Sequence, residues 1–586
     1  MKSLCLVTTS LKNTVPRNKK LLFLGEWCNL YSEKKKFKKK KLKILDYHWD
    51  DRKKLAKDYR YLNKFKKKIL INFSKNLNKF HSEKKSVRYW NLIIGPWLNS
   101  FLAIYFERHE NIKKAFKDFL INETYILKIN SNSMVPESFE HFSKLMITDT
   151  WNHYIYSEIL EEKNNKKFKK KYIKFTDIEK YQEYWNREKS YKKSKRQIIY
   201  TLFLKLLNFF IKKEKILITE SYLGVFNEFI LNYKLKTIPK MVVEKFIDTN
   251  KVKLNRSKFN LDFLASNSFE KILKKNITKH IPFTFLENFY YVGKKIENLN
   301  WPATPKKIFT SHAMQRTLQS RYVAEKIESF NTKLYHGQHG GVYGQYLFSS
   351  AEDHELDICD KYLSWGWKDQ NKKIIPIGVL KNLKKLNYKK NSKNFLLVLR
   401  SQSRYSHRLN SNAGSNQILK YFNNLITFVS KLNKAISNDL IIRLHARRTG
   451  WFEDLRFKDA FNNKVTIDDG TKSITKIIEN SKLVIHTYLS SGYLETMQRN
   501  IPTLILCDLK ESPIRKESKY YFNELKKAKI FHDNNNSIIN FLNKNHNNIE
   551  EWWFSGQTQK AVNLFCKKYA YNNKNILVKV AHLLRT

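Results

Sequence analysis

From about residue 305 to the carboxyl terminus, short apolar runs alternate with stretches of helical period. Runs such as FLLVLR and KLVIHT are continuously apolar, which is typical of strands buried on both faces of a parallel sheet. This alternation predicts two α/β units joined by the polar linker LKNLKKLNYKKNSKN. The predicted strands are KKIFTS, TKLYHG, KYLSWGW, IIPIG, FLLVLR, LIIRLH, KVTID, KLVIHT and PTLILC, and the predicted helices are Gln315–Glu328, Gln417–Leu432, Ser473–Asn480 and Gly492–Arg499.

The amino-terminal half carries fewer strand signals. KLLFLGEWC and a segment near Ile44 predict two strands, and residues of about 52–82 and 98–121 predict helices. Long lysine-rich amphipathic segments over about 155–300 predict a largely helical elaboration of the first domain.

The stretch Tyr89–Phe106 carries no charge over a length close to that of a membrane span. Gly95 and Pro96 interrupt it, so we expect a buried turn leading into a core helix and no transmembrane segment. The amino terminus has too short an apolar run for a signal peptide. The cysteines lack zinc or disulfide spacing, which favours a reducing cytoplasm; they are Cys5, Cys28, Cys359, Cys507 and Cys566.

A chain of 586 residues is too long for one hydrophobic core, and 42% hydrophobic residues are enough to fill two. We place the domain boundary in the linker, which gives domains 1–385 and 386–586. The net charge of +58 comes mainly from lysine. Solvated lysine faces explain it most simply, and attraction to an anionic membrane or glycan is the next alternative. Specific nucleic-acid binding is least favoured, because arginine is comparatively scarce.

The segment KLVIHTYLSSGYLET joins a buried strand to a helix through a Ser-Ser-Gly turn. Ser490 or Ser491 can cap this helix, while the free N–H groups at its start, near Gly492, favour a phosphate. Glu495, about one turn further along, would reach a ribose hydroxyl. The alternative is an ordinary capped helix with Glu495 on a solvent face. We favour the phosphate of a nucleotide donor.

Two further strand ends carry cationic groups. Arg443 and His445 end the strand LIIRLH, with Arg447 and Arg448 in the loop that follows. Arg400 ends FLLVLR, with Arg404 in the next loop. Guanidinium groups suit a diphosphate leaving group, because they can hold its oxygens in bidentate fashion. The alternative is a set of basic surface loops, which are common in so basic a chain.

The stretch KLYHGQHGGVYGQYLFSSAEDHELDICDKYLSWGW is low in lysine and rich in glycine, histidine and acid. We expect it to line an interdomain cleft, with Asp353 as a candidate catalytic carboxylate. A structural polar network is one alternative. A metal site is another, but a mononuclear site needs three or four convergent ligands, and no HExxH-like helix is present. The candidate cleft residues are His336, Gly337, Gln338, His339, Gly340 and Gly341.

A carboxylate also follows the strand in KLLFLGEWC. Glu26 could deprotonate an acceptor hydroxyl, and burial against Trp27 would raise its pKa towards the working range. A structural carboxylate that holds the loop is the alternative. Asp149 and His312 stand in similar positions after apolar runs, with weaker support.

Six segments together resemble a family of transferases encoded in bacterial surface-carbohydrate biosynthesis clusters. In chain order they are LLFLGEWCNLY, DTWNHYIYSEIL, YHGQHGGVYGQYLFSSAEDHELDICDKYLSWGW, RLHARRTGW, LVIHTYLSSGYLETMQRNIPTLI and IEEWWFSGQTQKAVNLFCKKYA. The resemblance implies an α/β fold of GT-B type, in which two Rossmann-like domains face each other across a cleft and the second holds an activated nucleotide donor. The family is also distantly similar to capsule Kdo transferases and teichoic-acid glycerophosphotransferases. Their basic strand end usually reads Arg-x-His-Pro, whereas Ala446 follows His445 here.

We therefore expect a glycosyltransferase that moves a sugar from a nucleotide-activated donor to a surface polysaccharide, lipopolysaccharide or similar glycan. Glu26, His339 and Asp353 are the candidate catalytic residues. The expected partners are a nucleotide-sugar donor, a glycan or lipid-linked acceptor and the inner face of an anionic membrane, without cofactor, metal or specific nucleic acid. The alternatives are a phosphotransferase that uses a CDP-linked polyol and a non-catalytic basic protein that binds polyanions.

Overall fold

A computed structural model of the chain contains three parallel sheets, where the sequence predicted two. It describes residues 3–37, 42–163, 166–175, 195–240, 256–381, 386, 388–389, 392–412, 414–447 and 449–586. The first sheet has the order β3-β2-β1-β4-β5. Its strands are β1 (Leu4–Val7), β2 (Leu21–Phe23), β3 (Leu42–Ile44), β4 (Ile121–Lys128) and β5 (Lys169–Lys174), and their pairings are parallel.

The second and third sheets are also parallel. The second has the order β10-β9-β8-β7-β6 and the third β13-β12-β11-β14-β15-β16. The second comprises β6 (Ile216–Ile218), β7 (Lys307–Thr310), β8 (Lys333–Gly337), β9 (Lys361–Ser364) and β10 (Ile374–Pro376). The third comprises β11 (Asn394–Val398), β12 (Leu440–Arg443), β13 (Thr466–Asp468), β14 (Ser481–His486), β15 (Thr503–Leu506) and β16 (Phe531–His532).

The strand orders determine where crevices form. The third sheet begins in its middle at β11, proceeds to β13, and resumes on the other side with β14. The first sheet reverses in the same way between β1 and β4. Such a reversal opens a crevice beyond the carboxyl ends of the two central strands, which is the usual ligand position in Rossmann-like sheets. The second sheet runs in sequential order through its described strands.

Helices connect and cover these sheets. In the amino-terminal half they are α1 (Lys34–Phe37), α2 (Arg52–His81), α3 (Val87–Asp118), α4 (Phe139–Leu145), α5 (Asp149–Glu161), α6 (Lys195–Leu206), α7 (Asn208–Lys213), α8 (Val225–Leu235), α9 (Ser268–Asn276) and α10 (Phe289–Glu297). They continue with α11 (Thr317–Phe330), α12 (Ser350–Ile358), α13 (Gln417–Ser430), α14 (Lys434–Asn438), α15 (Glu453–Ala460) and α16 (Ile474–Glu479). The last are α17 (Ser491–Gln498), α18 (Lys516–Lys527), α19 (Asn535–Asn545), α20 (Ile549–Phe554), α21 (Gly556–Tyr569) and α22 (Ile576–Arg585).

The long helices α2 and α3 correct the turn expected within Tyr89–Phe106. Ser86 caps α3 by accepting a hydrogen bond from the Tyr89 N–H group, and the helix then runs unbroken through Pro96. Trp90, Trp97 and neighbouring apolar residues are fully buried, so tertiary packing offsets the hydrogen bond that proline removes. No described helix combines the length and apolar character needed to cross a membrane.

The structure confirms an α/β fold of Rossmann-like parallel sheets with many helices, and it adds detail to the predicted division. A boundary at residue 385 leaves the first two sheets on one side and the third on the other. The helical elaboration predicted over 155–300 also contains β5 and β6, while residues 176–194 and 241–255 lie outside the described residues. The linker predicted over 380–394 lies partly outside them as well.

The carboxyl-terminal helices return to the second sheet. The Tyr571 N–H group donates to the Trp365 carbonyl (2.9 Å), and the Tyr571 carbonyl accepts from the Val379 N–H group (2.9 Å). Helix α22 then packs against α8. The third sheet is therefore held to the second by the chain end as well as by the linker.

A buried arginine joins the third sheet to the first. Arg404, in the loop after β11, donates to Ser10 Oγ (2.9 Å) and to the Trp27 carbonyl (2.9 Å), and its other terminal nitrogen pairs with Asp149. Ser10 Oγ also donates to Asp149 Oδ1 (2.7 Å). Two residues that the sequence marked separately, Arg404 and Asp149, thus form one structural joint.

We expect Arg404→Met to lower the free energy of unfolding by about 3 kcal/mol, because it leaves the Asp149 carboxylate buried without its cation. Lys274→Met is the matched control: Lys274 pairs with Asp262, whose side chain is 78% exposed. Exposed pairs contribute about 1 kcal/mol or less. Urea unfolding followed by tryptophan fluorescence measures both. Equal losses in the two variants would contradict a structural role for the joint.

Candidate active site

A cavity of about 550 Å³ lies between the carboxyl ends of the second and third sheets. Helices α3 and α4 contribute to its wall through Asn99 and Lys144. Loops of parallel strands gather at this edge, so groups distant in sequence can meet there. The titratable lining groups of the sheet loops and α12 are His312, Arg316, His336, His339, Tyr343, Tyr346, His354, Glu355, His407, Arg408 and Arg447. We call this the central cavity.

Gln338 shapes the turn that carries the histidines after β8. Its amide oxygen accepts from the Trp365 N–H group (2.9 Å) and from Trp367 Nε1 (2.7 Å), and its Nε2 donates to the Gly340 carbonyl (2.7 Å). Gln338 is fully buried. These hydrogen bonds fix the backbone on both sides of His339. Gln338 therefore has a structural role at this turn, which differs from direct contact with substrate.

Three histidines and one glutamate form a cluster at this turn. The rings of His312 and His339 lie 4.2 Å apart, and those of His336 and His339 lie 6.2 Å apart. Glu355 Oε1 is 3.7 Å from His339 Nδ1, and Glu355 Oε2 is 3.6 Å from His336 Nδ1. Tyr343 donates to Glu355 Oε1 (3.0 Å). The sequence-predicted pair His336 and His339 thus lies in the cavity.

Burial disfavours charge on the groups of this cluster. Desolvation raises the pKa of Glu355 well above its ordinary value. Desolvation, followed by the neighbouring His312, His336 and Arg408, holds the pKa of His339 well below its ordinary value. The Nδ1 atoms of His336 and His339 have no hydrogen-bond partner within the described part of the chain. A neutral imidazole is thus available to accept a proton in the cavity.

Cationic groups of the third sheet face this cluster. Arg408 follows β11 and Arg447 follows β12, and both line the central cavity. Arg316, after β7, adds a third guanidinium and lies 3.7 Å from Glu220. Guanidinium groups close to a neutral base suit a reaction in which negative charge develops on a leaving group.

The loop that contains Gly341 packs against the start of α17. Ser490 caps the helix by accepting from the Gly492 N–H group (3.1 Å), and Ser491 Oγ accepts from the Gly341 N–H group (3.1 Å). A Cβ atom added to Gly341 would lie 2.6 Å from the Ser491 Cα atom. The helix start is thus a contact between the second and third sheets, and the phosphate site at this helix stays a prediction.

Glu495, on the same helix, lies close to two cationic side chains. Its Oε1 atom pairs with Lys381 Nζ at 2.7 Å, and Oε2 lies 3.8 Å from Arg499. Lys381 precedes the residues that join the second sheet to the third. Glu495 therefore ties α17 to the end of the second sheet, and its predicted contact with a ribose has no support from this geometry.

A second cavity, of about 380 Å³, lies at the carboxyl edge of the third sheet. Arg400, after β11, and Thr487, after β14, line it, so it occupies the crevice where the strand order reverses. The Arg400 guanidinium lies 4.8 Å from the Tyr421 ring, and its Nε and Nη2 atoms find no hydrogen-bond partner among the described residues. Arg400 is 6% exposed, so this cation faces the cavity with little water.

The other predicted cations at the third sheet lie elsewhere. Arg443 pairs with Asp468 and donates to the Gly470 (3.0 Å) and Lys472 (2.8 Å) carbonyls, so it holds the loop after β13, and its role as a diphosphate clamp stays a prediction. His445 is exposed, and its Nδ1 accepts from the Arg447 N–H group (3.0 Å).

Two predicted catalytic carboxylates are absent from the lining of the central cavity. Asp353 accepts from Tyr59 and from Asn63 Nδ2 (2.9 Å), both on α2, so it ties α12 to α2. Glu26 lies between the first and third sheets, where Asn29 Nδ2 donates to its Oε2 (3.3 Å). Burial raises the pKa of Glu26, as expected, but at a different interface.

Sequence reasoning missed Glu355 and Arg408. Ala351, His354 and Glu355 line the cavity at helical spacing, whereas Asp353 points to another face of α12. This spacing is the sequence signal that selects Glu355. Arg408 carries no comparable signal, because the direction of a loop does not follow a period. Within the described ranges, no group of three or more His, Cys, Asp or Glu side chains is arranged so that it could hold a metal ion.

We expect Gly341→Ala to lower the free energy of unfolding by about 1–3 kcal/mol, because the new methyl group meets backbone atoms that cannot rotate away. Gly556→Ala is the matched control, since a Cβ atom there meets nothing within 4 Å. The control should be unchanged or slightly more stable. Thermal unfolding of both variants measures the difference, and a Gly341→Ala protein as stable as the control would contradict the close contact.

The buried histidines predict acid sensitivity. Desolvation lowers the pKa of His336 from 6.5 to about 3. Between these values the unfolded chain binds a proton that the folded protein does not, so stability falls as pH decreases through this window. One such histidine contributes about 1.4 kcal/mol per pH unit. His336→Asn should make the measured slope shallower by that amount in urea unfolding, and exposed His582→Asn should not. Identical slopes in all three proteins would contradict this.

Solved structures with similar chains include three carbohydrate-related proteins. The wall teichoic acid polymerase TagF, soaked with CDPG, has 11% identity over 51% of this chain and 83% of that chain, with a TM-score of 0.28. MurG of Acinetobacter baumannii has 11% identity over 64% and 99%, with a TM-score of 0.32. UDP-GlcNAc 2-epimerase of Methanocaldococcus jannaschii has 14% identity over 64% and 100%, with a TM-score of 0.36. At TM-scores this low, the similarity carries no information about substrate or catalytic residues.

A comparison with curated proteins finds no match. A family model described as LIC12162 family transferase matches residues 4–584, which is nearly the whole chain. This match confirms the resemblance to a transferase family. The chain belongs to the LIC12162 family of transferases and is an enzyme.

Proposed function

We propose that this transferase moves a sugar from a nucleotide-activated donor to a hydroxyl group of a surface glycan or its lipid-linked precursor. The nucleotide sugar is a substrate and no cofactor takes part. The enzyme works in the cytoplasm, in contact with the inner face of the membrane. One observation carries the proposal: the cluster of His312, His339 and Glu355 shares the central cavity with Arg408 and Arg447.

The donor side of the proposal rests on Arg400. This buried guanidinium lines the crevice where nucleotides bind in Rossmann-like sheets, and two of its nitrogens lack a partner among the described residues. Ser403, on the same loop, lines the central cavity. A donor with its nucleoside in the second cavity and its diphosphate along this loop would bring its reactive carbon to the central cavity.

The acceptor side of the proposal rests on His339. A neutral imidazole can take the proton of an acceptor hydroxyl as the new bond forms. The resulting imidazolium lies 3.7 Å from Glu355 Oε1, and a positive charge at this distance favours the ionised form of that carboxyl group. Arg408 and Arg447 are placed to stabilise the negative charge that develops on the departing nucleoside diphosphate. The bond from sugar to phosphate breaks as the bond from sugar to acceptor oxygen forms.

The donor is identified first, by screening UDP-, GDP-, CDP- and CMP-linked sugars for a rise in unfolding temperature. We then expect His339→Asn to reduce turnover of that donor by about 10²- to 10⁴-fold, because the proton acceptor is lost. Asp353→Asn is the control, since its carboxylate lies against α2 outside the cavity lining. Nucleotide release measures turnover, and analysis of the product identifies the new linkage.

Turnover near the wild-type value in His339→Asn would overturn the role of the cluster. A phosphodiester in the product would replace sugar transfer by transfer of a phosphorylated polyol from a CDP-linked donor. Binding of polyanions without turnover of any donor would support the third alternative, a non-catalytic basic protein that binds polyanions.

A further inference from the structure

Helix α6 at the edge of the second sheet exposes an apolar face. Ile199, Leu202, Phe203 and Leu206 follow one another at the spacing of a single helical face, and Leu206 is 82% exposed. Phe209 and Phe210 on α7 continue this surface and are 64% and 62% exposed. A surface helix of a globular protein ordinarily turns such a face towards its core.

Helix α8 has a buried face that includes Leu231 and Leu235, and it also exposes aromatic side chains. Phe226, Phe229 and Tyr233 are 72%, 53% and 83% exposed, whereas the polar residues Glu228 and Asn232 of the same helix are buried. Glu228 accepts from Ser221 Oγ (2.6 Å), and Asn232 Nδ2 donates to the Glu228 carbonyl (2.8 Å). The helix satisfies its polar groups inside and leaves its aromatic groups outside.

The three helices belong to one structural unit. Tyr200 on α6 donates to the Pro239 carbonyl beyond α8, and Glu214, directly after α7, accepts from the Ile238 N–H group (2.8 Å). Their apolar faces are therefore held at fixed positions relative to one another. We call this surface the α6–α8 face.

The charge of the α6–α8 face is positive. Lys205, Lys213 and Lys236 are exposed among the apolar residues. The nearby carboxylates are occupied: Glu214 pairs with Lys240, and Glu228 is bonded inside. Aromatic and aliphatic side chains interspersed with exposed lysines fit a bilayer interface that contains anionic lipids.

We propose that the α6–α8 face docks on an anionic lipid bilayer, with the helices lying in the headgroup region. No described helix could span the membrane, so the contact is peripheral. This inference deepens the proposed membrane contact and rests on that part of the proposed function alone. It gives the contact a location and a lipid chemistry.

The loop between β6 and α8 links the α6–α8 face to the central cavity. Residues between β6 and α8 connect the two: the Tyr222 ring lies 5.3 Å from His312, and the Ser311 N–H group donates to the Glu220 carbonyl (3.0 Å). A protein seated on this face would hold the histidine cluster near the membrane surface. An acceptor carried on a lipid would then reach the cavity without leaving the bilayer.

The test is cosedimentation of the full chain with vesicles of phosphatidylglycerol and phosphatidylcholine in equal parts. We expect the combined variant Leu206→Gln, Phe226→Gln, Phe229→Gln to bind at least about tenfold more weakly than the wild type. The matched control is Leu264→Gln, Tyr520→Gln, Leu120→Gln, whose residues are 84%, 58% and 56% exposed elsewhere. The control should bind like the wild type, and vesicles of phosphatidylcholine alone should bind the wild type less.

Equal binding by the face variant and the control would overturn the proposal, and so would a wild type that binds no anionic vesicles. A concentration-dependent dimer in sedimentation velocity, abolished by the face variant alone, would show that a second copy covers this face instead. Circular dichroism melting of both variants checks their folding. The face variant should also retain turnover with a water-soluble acceptor, whereas failure of the proposed sugar transfer would abolish turnover in the wild type and leave vesicle binding unchanged.

Discussion

The joint between Arg404 and Asp149 is the constraint on which the central cavity depends. It binds the loop after β11 to the first sheet through Asp149, Ser10 and the Trp27 carbonyl. The same loop supplies Arg408 to the cavity. Burial by itself would raise the pKa of Asp149, but Arg404 and the hydroxyl groups beside it hold that pKa below its ordinary value. Asp149 is paired with its cation only when the loop after β11 has this conformation. Other conformations of the loop would leave a buried ion unpaired, so the ion pair favours the observed one.

A second contact completes the cavity from the other side. Gly341 approaches the start of α17 so closely that a side chain has no room, which brings the turn of His339 against the third sheet. Glu352, on α12 behind this turn, pairs with Arg515 at 2.6 Å, and burial raises the pKa of this glutamate to about 7. Hydrogen bonds and ion pairs therefore hold the residues around the cavity in place without a ligand. Preorganised groups of this kind stabilise developing charge without having to rearrange during the reaction.

The sequence predicted the strands after residue 305 well, because continuous apolar runs between polar turns leave few alternatives. It also placed His336, His339 and Arg400 at strand ends, where the structure has them. The sequence did not predict which partner a given side chain contacts. Asp353 differs from Glu355 only by its phase on α12, and the partner of Arg404 lies 255 residues away in sequence. The amino-terminal strands β1 and β4 were missed because their apolar runs adjoin lysine-rich and helical segments.

The distribution of acids explains why the surface of this chain is so cationic. The chain has 111 lysines and arginines against 53 acids, and several of those acids are used internally. Asp149, Glu352 and Glu355 hold joints or line the cavity, so they add little negative potential outside. Lysines on outward faces remain uncompensated, and their field attracts anionic surfaces from any direction. Such a field attracts the protein to an anionic surface but does not determine which side of the protein faces that surface. An exposed apolar face such as that of α8 would determine it, because its aromatic side chains would be buried in the lipid interface.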